Sequence, residues 1–176
     1  IQLALRLDDL PRARHLLAEW RGLPADDLGS QDIARLSIET ALEDAHRHVF
    51  GVLVCFVLLP GPCGALLYRL ATIVQARWRG LNAAEHNGFS KFSGQVFGII
   101  DWLPLRATAS AFAIAGDFED AVYCWRNQAG QWPDRELGIV LASGAGALGV
   151  RLGMPLAEGI EVSDGAELGL GDPADV

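Results

Sequence analysis

The chain has 176 residues, 51% of them hydrophobic, so it can bury a core of ordinary domain size and does not have a disordered composition. Its formal net charge of −8 argues against a nucleic-acid-binding surface, and we expect no nucleic-acid partner. The mean hydropathy of +0.23 lies between that of soluble domains and that of compact membrane bundles, which predicts apolar segments alternating with polar helices. Because the chain begins with Ile1 rather than Met, we expect a fragment of a longer protein.

Two amphipathic helices are predicted in the first part of the chain. Apolar residues recur at helical spacing over residues 10–20, where Pro11 suits a first turn. A second such pattern covers residues 31–48, and Ser30 can cap it. This second helix leads directly into an apolar run.

The apolar run, residues 49–68, contains no charged side chain. As one helix it would reach about 30 Å, the thickness of the hydrocarbon layer of a bilayer. Pro60-Gly61-Pro62 interrupts it, so two short apolar helices joined by a tight turn are the alternative. Basic residues follow the run at Arg69, Arg77 and Arg79, as is typical of a cytoplasmic membrane boundary. We favour membrane association over a buried soluble core, and we predict a polar loop over residues 75–94.

A second apolar segment covers residues 96–116, with Asp101 and Arg106 as its charged residues and Pro104 between them. A pair between Asp101 and Arg106 would lower the cost of placing either in a low-dielectric setting. The alternative is a position at the membrane interface anchored by Trp102, with a helix that begins near Pro104.

The remainder of the chain predicts one further amphipathic helix, over residues 117–129, and then a small-residue segment over residues 137–152. Residues 144–149 match G-x-G-x-x-G after a strand-like stretch, but the rest of a dinucleotide-binding unit does not follow. Small residues at this spacing more often permit close helix packing. We therefore divide the chain into a helical membrane region, residues 1–155, and an acidic, Gly-rich disordered segment, residues 156–176.

Metal and thiol chemistry receive little support. Glu43 and His46 have the E-x-x-H spacing of some carboxylate-bridged metal sites, but no second copy exists, so no metal site is predicted. Ion pairs at i,i+4, such as Asp44 with His48, are the simpler interpretation, and a role of the Arg/His residues in binding an anion is another. The three cysteines show no paired spacing and are expected to be buried free thiols.

Several motifs together resemble the CobD/CbiB membrane proteins of cobalamin biosynthesis and the related AmpE proteins. They are Ile38-Glu39-Thr40-Ala41-Leu42-Glu43-Asp44, the stretch from Pro60 to Arg69, Asp101-Trp102-Leu103-Pro104-Leu105-Arg106 and the stretch from Ala111 to Phe118. Further similarity to a divergent CobD/CbiB branch lies at the start of the chain, at His46 to Val52, at Trp125-Arg126-Asn127 and at Gly144 to Gly153.

The resemblance implies an all-α, multi-pass protein of the inner membrane, with amphipathic helices flanking apolar segments and further spans before Ile1. Its enzyme members join adenosylcobyric acid to aminopropanol or its phosphate through an amide bond. The partners implied are the lipid bilayer, a corrinoid intermediate and an amino-alcohol or its phosphate, and no cofactor is identified. A non-catalytic, AmpE-like signalling component of the inner membrane is the alternative, and a soluble helical interaction domain is a third.

The resemblance also suggests the site residues. Glu39, Glu43 and Asp44 would be catalytic, by positioning the amine. Substrate-binding residues would be Arg47, Tyr68, Arg69, Asp101 and Arg106. The chain departs from the enzymes at four places. Asp44 stands where they carry Asn, and Arg47 stands near the place of an Asp. Thr72-Ile73-Val74-Gln75 replaces an Asn-Thr-Leu-Asp-like run, and Phe97 with Gly98 occupies the neighbourhood of their paired aspartates. The synthase motifs are thus partly lost.

Overall fold

The computed structural model describes residues 1–59, 62–81, 88–132, 134–153 and 168–173. These residues are mostly helical, as predicted. The chain divides into two units, each described by itself below. The first unit comprises Ile1–Glu43 and Ala111–Val176, and the second comprises Asp44–Ser110.

The first unit opens with the short helix α1 (Gln2–Arg6), followed by α2 (Leu10–Arg21) and α3 (Ser30–Ala45). The Asp9 side chain caps α2 by accepting a hydrogen bond from the backbone N–H of Arg12, and Gly22 ends the helix in the left-handed conformation. Both predicted amphipathic helices are confirmed, and Ala13 and Leu17 of α2 are buried. Small and aliphatic side chains of the three helices and their loops form this core: Ala4, Ala13, Leu17, Ala25, Ile33 and Leu36.

The apolar run consists of two helices rather than one. A π-helical turn (His46–Phe50) follows α3 and leads into α4 (Gly51–Leu58); α5 (Cys63–Leu81) then packs against α4. A Cβ on Gly64 would overlap the backbone carbonyl of Cys55, so glycine permits this close approach. The prediction of one uninterrupted span is therefore wrong and its two-helix alternative is confirmed, while residues 60–61 of the turn lie outside the described residues.

The predicted polar loop over residues 75–94 is largely helical. Helix α5 extends to Leu81 and α6 (Gly88–Ala115) begins at Gly88, so the described part of that stretch is helix. Pro104 lies inside α6 rather than at a helix start. A proline in a helix removes one N–H donor, which local packing and polar side chains can compensate.

The last helices belong mainly to the first unit. Asp117 caps α7 (Phe118–Asn127), a 3₁₀ turn (Ala129–Gln131) follows, and α8 (Arg135–Leu148) packs against α7. A Cβ on Gly146 would lie 2.5 Å from the backbone oxygen of Asp120, so the glycine brings the helices together. The strand-like interpretation before G-x-G-x-x-G is wrong, and its close-packing interpretation is confirmed.

A small two-stranded sheet follows α8. Strand β1 (Val150–Arg151) pairs in parallel with β2 (Asp172–Pro173), and Leu152 pairs with Leu168 in an isolated antiparallel bridge. Leu152 and Leu168 are both fully buried. Residues 168–173 of the predicted disordered segment therefore take part in the first unit, whereas residues 156–167 and 174–176 lie outside the described residues.

The second unit exposes many apolar side chains. Within the described residues, none of the helices is both long enough and apolar enough to cross a membrane. The exposed side chains on α4 and α5 include Leu53, Phe56, Val57, Leu58, Leu66, Leu67, Leu70 and Ile73. Ile99, Trp102 and Leu103 are exposed on α6.

Candidate functional site

A buried polar cluster joins three elements of the second unit. It consists of His46 in the π-helical turn, Tyr68 on α5, and Asp101 and Thr108 on α6; we call it the His46 cluster. The Tyr68 hydroxyl donates to Asp101 Oδ1 at 2.7 Å, and His46 Nε2 lies 3.1 Å from Asp101 Oδ2. His46 Nδ1 lies 2.8 Å from Thr108 Oγ1. Tyr68 and Thr108 are 0% exposed, Asp101 3% and His46 4%, so the cluster is shielded from solvent.

Local sequence explains why these side chains meet. His46 is the first residue of the π-helical turn, and its ring nitrogens contact Thr108 and Asp101 of α6. A Cβ on Gly51 would overlap the Tyr68 ring, so the glycine makes room for the tyrosine. The Phe97 ring packs against the Tyr68 ring at a tilt of 37°, with the ring centroids 6.2 Å apart.

The Thr108 hydroxyl lets the cluster accept His46 in either charge state. Asp101 as a carboxylate accepts hydrogen bonds, so His46 Nε2 carries a hydrogen. A neutral ring then accepts at Nδ1 from Thr108, whereas a protonated ring donates there and the Thr108 hydroxyl donates to the Pro104 carbonyl, 3.0 Å away. Every polar group of the cluster has a partner in both states, as buried polar groups require.

A second polar cluster lies in the first unit, around the predicted catalytic residue Glu39. The backbone N–H of Gly153 donates to Glu39 Oε1 at 2.8 Å, and Arg35 Nε lies 3.9 Å from the same oxygen. We call Arg35, Glu39 and Gly153 the Glu39 cluster. Burial raises the pKa of Glu39, while the Gly153 hydrogen bond and the charges of Arg35 and Arg21 oppose that rise. The carboxyl group therefore has a raised pKa and an orientation fixed by the Gly153 hydrogen bond.

The other predicted site residues are less buried. Glu43 and Asp44 are partly buried near the end of α3, and Asp44 Oδ1 lies 3.4 Å from His48 Nδ1, which confirms the predicted i,i+4 pair. Arg47 is partly buried in the π-helical turn, and Arg69 is exposed on α5. Their roles in binding stay predictions.

The suggested pair between Asp101 and Arg106 is wrong. Asp101 is held by Tyr68 and His46, whereas Arg106 lies over the Trp102 ring at 4.0 Å and donates to the Trp102 carbonyl. The cation–π contact keeps the guanidinium at the outer face of α6, where Trp102 is 55% exposed. The structure thus unites Tyr68 and Asp101, two of the predicted substrate-binding residues, and leaves Arg106 on the surface.

Sequence reasoning missed His46 as a partner of Asp101 and Thr108 as a partner of His46. It also missed Arg35 and Gly153 as partners of Glu39. The sequence did contain a signal for the contacts of Asp101, because an aspartate in an apolar segment needs a buried polar partner. The Gly153 contact could not be predicted, because every residue except proline has a backbone N–H and the sequence does not show which one binds Glu39.

Metal and disulfide chemistry find no support in the part of the chain that the structure describes. No group of three potential ligands from His, Cys, Asp or Glu is placed to hold a metal ion among the described residues. All three cysteines are free, as predicted; Cys55 and Cys124 are buried, but Cys63 is exposed, which corrects the expectation for that residue. Burial raises the pKa of the Cys124 thiol.

Comparison with known proteins gives a consistent result. The family model described as "CobD/Cbib protein" matches residues 1–174. Two relatives called "Cobalamin biosynthesis protein CobD", from Stutzerimonas stutzeri and Chromobacterium violaceum, are each 35% identical over 85% and 87% of this chain and 49% and 48% of their own length. A protein of that name from Mycobacterium tuberculosis is 29% identical over 86% of this chain and 49% of its own.

The chain therefore spans about half the length of the curated relatives it matches. No solved structure matches it significantly. The matches support the resemblance to CobD/CbiB proteins and give no support to the AmpE alternative.

Proposed function

Because the chain belongs to the CobD/CbiB protein family, we propose that it is part of a cobalamin-biosynthesis enzyme that forms the amide bond of adenosylcobinamide or its phosphate. The names of the relatives support the pathway. The resemblance of the motifs supports the reaction, with a corrinoid carboxylic acid and aminopropanol or its phosphate as the substrates.

The observation that carries the proposal is the placement of Glu39. Its Oε1 is fixed by Gly153 and faces Arg35, and no described residue donates a hydrogen bond to Oε2. The Glu39 side chain keeps 16% of its surface exposed. A fixed carboxylate that keeps one oxygen without a donor among the described residues suits an ammonium group, because the charges attract and the carboxylate accepts the ammonium hydrogens.

This placement fits the demands of amide formation. The reaction forms a bond between the carboxyl carbon and the amine nitrogen, and in overall balance it releases one water. The amine attacks through its lone pair, so the ammonium must first lose a proton. A carboxylate whose pKa is raised by burial is a better acceptor for that proton than an ordinary one.

The remaining predicted residues have supporting roles in the proposal. Glu43 and Asp44 add negative charge near the end of α3, for the amine. Arg69 and Arg106, on α5 and α6, are assigned to a phosphate or carboxylate of the substrates, and Arg47 to the same task. For Tyr68 and Asp101 we propose that they hold the second unit together, since each faces the other and not solvent.

We further propose that the full-length protein resides in the inner membrane, with the exposed apolar side chains of the second unit facing lipid. Val57 is 75% and Ile99 77% exposed, and apolar side chains on neighbouring helices form patches of this kind where a protein meets a membrane or a partner. The burial of Asp101 supports this location, because its carboxyl group is hydrogen-bonded by Tyr68 and His46 inside the unit rather than facing lipid.

Growth complementation tests the reaction. The full-length gene is placed in a strain that lacks cobinamide synthase, and growth is compared on cobyric acid and on cobinamide. We expect growth on both with the natural gene, and growth on cobinamide alone with Glu39→Gln. Glu19→Gln changes an exposed glutamate of α2 and is the matched control. Failure of the natural gene on cobyric acid, with the protein present in the cell, overturns the proposed activity.

Membrane placement is tested separately by washing membranes with alkaline carbonate. Retention of the full-length protein in the pellet is expected. Release into the supernatant would show that the apolar patch faces protein rather than lipid.

A further inference from the structure

Arg35 is a buried cation whose hydrogen bonding is incomplete. The side chain is 8% exposed, and its Nη2 lies 3.3 Å from Asp32 Oδ1. Among the described residues, no group accepts a hydrogen bond from its Nε. A buried donor without a hydrogen-bond partner on a charged group lowers the stability of the fold, so this arrangement calls for an explanation.

The direction of Nε suggests the reason. Nε lies 3.9 Å from Glu39 Oε1, which is too long for a hydrogen bond and short enough for a strong Coulomb attraction. Oε1 is also the oxygen that accepts from Gly153, so Arg35 and Gly153 both act on one side of the carboxylate. A bidentate Arg–Glu pair would occupy both oxygens, whereas this geometry leaves Oε2 without a described donor.

We propose that Arg35 is a positioning residue for Glu39, which holds the carboxylate by charge alone so that Oε2 stays open for the ammonium group of an amino-alcohol. This inference rests on the proposed function for its ligand, but not for the interaction between Arg35 and Glu39. Gly153 fixes the orientation, and Arg35 supplies the charge that offsets burial.

The charged groups around Glu39 support this division of roles. Arg21 of α2 and Arg35 of α3 both favour its ionised form, and Asp32 balances Arg35 from the other side. The charge of Arg35 lowers the pKa of Glu39 more than the charge of Arg21 does. Removal of Arg35 therefore leaves a buried carboxylate with less compensation, which favours its protonated form. A protonated Glu39 no longer attracts an ammonium group.

An infrared titration of the full-length protein in detergent tests the inference without any assay of activity. The protonated carboxyl band of Glu39 is assigned as the band that Glu39→Gln removes. We expect the titration midpoint to move to higher pH in Arg35→Gln and to stay close to the natural value in Arg35→Lys. Arg12→Gln, an exposed arginine of α2, is the control and should leave the midpoint unchanged.

Kinetics supply the second readout. With the full-length enzyme, we expect Arg35→Gln to raise the KM for the amine at least about tenfold. The acid limb of its kcat/KM profile should move to higher pH. Arg35→Lys should bring both the KM and the pH profile most of the way back to those of the natural enzyme. A midpoint in folded Arg35→Gln equal to that of the natural protein overturns the inference. Should that variant fail to fold, the double change Arg35→Gln with Asp32→Asn also removes the charge that Asp32 would otherwise keep without its partner, and the same upward shift must occur there.

The two proposals fail in different ways. A shifted midpoint in a protein that makes no amide product keeps the positioning role and removes the proposed reaction. An active enzyme with an unshifted midpoint keeps the reaction and removes the role of Arg35.

Discussion

Replacement of Tyr68 by phenylalanine should destabilise the second unit markedly for the loss of a single oxygen atom. The Tyr68 side chain is fully buried and its hydroxyl donates to Asp101 Oδ1 at 2.7 Å. A hydrogen bond to a charged group contributes about 1.5–3 kcal/mol, and water cannot take its place in a buried cluster. For a chain of this length, that corresponds to a fall in Tm of about 3–12 °C.

The second tyrosine of the chain is a matched control. Tyr123 is 52% exposed on α7, so its replacement by phenylalanine should change stability by less than about 0.5 kcal/mol. Both variants are compared in the same detergent by urea unfolding, followed by circular dichroism. Hydrogen exchange of the amides in α5 and α6 is measured beside it, because the two units need not unfold together.

A double-mutant cycle then isolates the interaction. Tyr68→Phe is combined with Asp101→Asn, and the coupling free energy should be about 0.5–3 kcal/mol. Additivity within about 0.3 kcal/mol, or equal effects of Tyr68→Phe and Tyr123→Phe, would refute the reasoning that the Tyr68–Asp101 bond holds the unit together.

Three further predictions concern the first unit. Gly146→Ala should lower the free energy of unfolding by about 1–3 kcal/mol, because the added Cβ meets the backbone of α7. A Cβ on Gly130 has no atom within 4 Å, so Gly130→Ala should be nearly neutral and serves as the control. Thermal unfolding of the two variants measures the difference. Asp117→Ala should cost about 1 kcal/mol by removing the cap of α7, and Asp117→Asn should recover most of it in the same measurement. Burial raises the pKa of Glu39 above 4.5, so the folded protein binds the proton of this carboxyl group more tightly than the unfolded chain does. Relative to Glu39→Gln, the natural protein should therefore be most stable below pH 4.5. This difference in the free energy of unfolding should fall as the pH rises through the pKa of Glu39 in the folded protein. A stability difference that does not change with pH would contradict the last prediction.

Much of the helical architecture follows from local sequence. Helix α2 could be located because apolar residues recur at helical spacing and Pro11 fits its first turn. The break at Pro60-Gly61-Pro62 was visible for the same reason, since proline and glycine act on the backbone of their own segment. The prediction of a loop over residues 75–94 is wrong for the residues described there, because polar composition does not by itself exclude a helix.

The candidate site was foreseen as a set of residues rather than as an arrangement. Resemblance of motifs pointed to Glu39, Tyr68 and Asp101, and the family comparison supports that resemblance. The suggested pair of Asp101 with Arg106 came instead from their spacing of five residues, and it is wrong. The partners of Asp101 are Tyr68 and His46, which lie 33 and 55 positions away in the chain.

The sequence by itself determined the helical class and the family, because these depend on local backbone preferences and on motifs read in order. It left one span and two short helices open for the apolar run, and the structure decided for two helices. Only the tertiary structure decided that His46 turns inward to Asp101, that Gly153 donates to Glu39 and that Arg35 stays just beyond hydrogen-bonding distance. Such contacts join residues far apart in the chain, and their distances are set by how the helices pack rather than by the preference of any one residue.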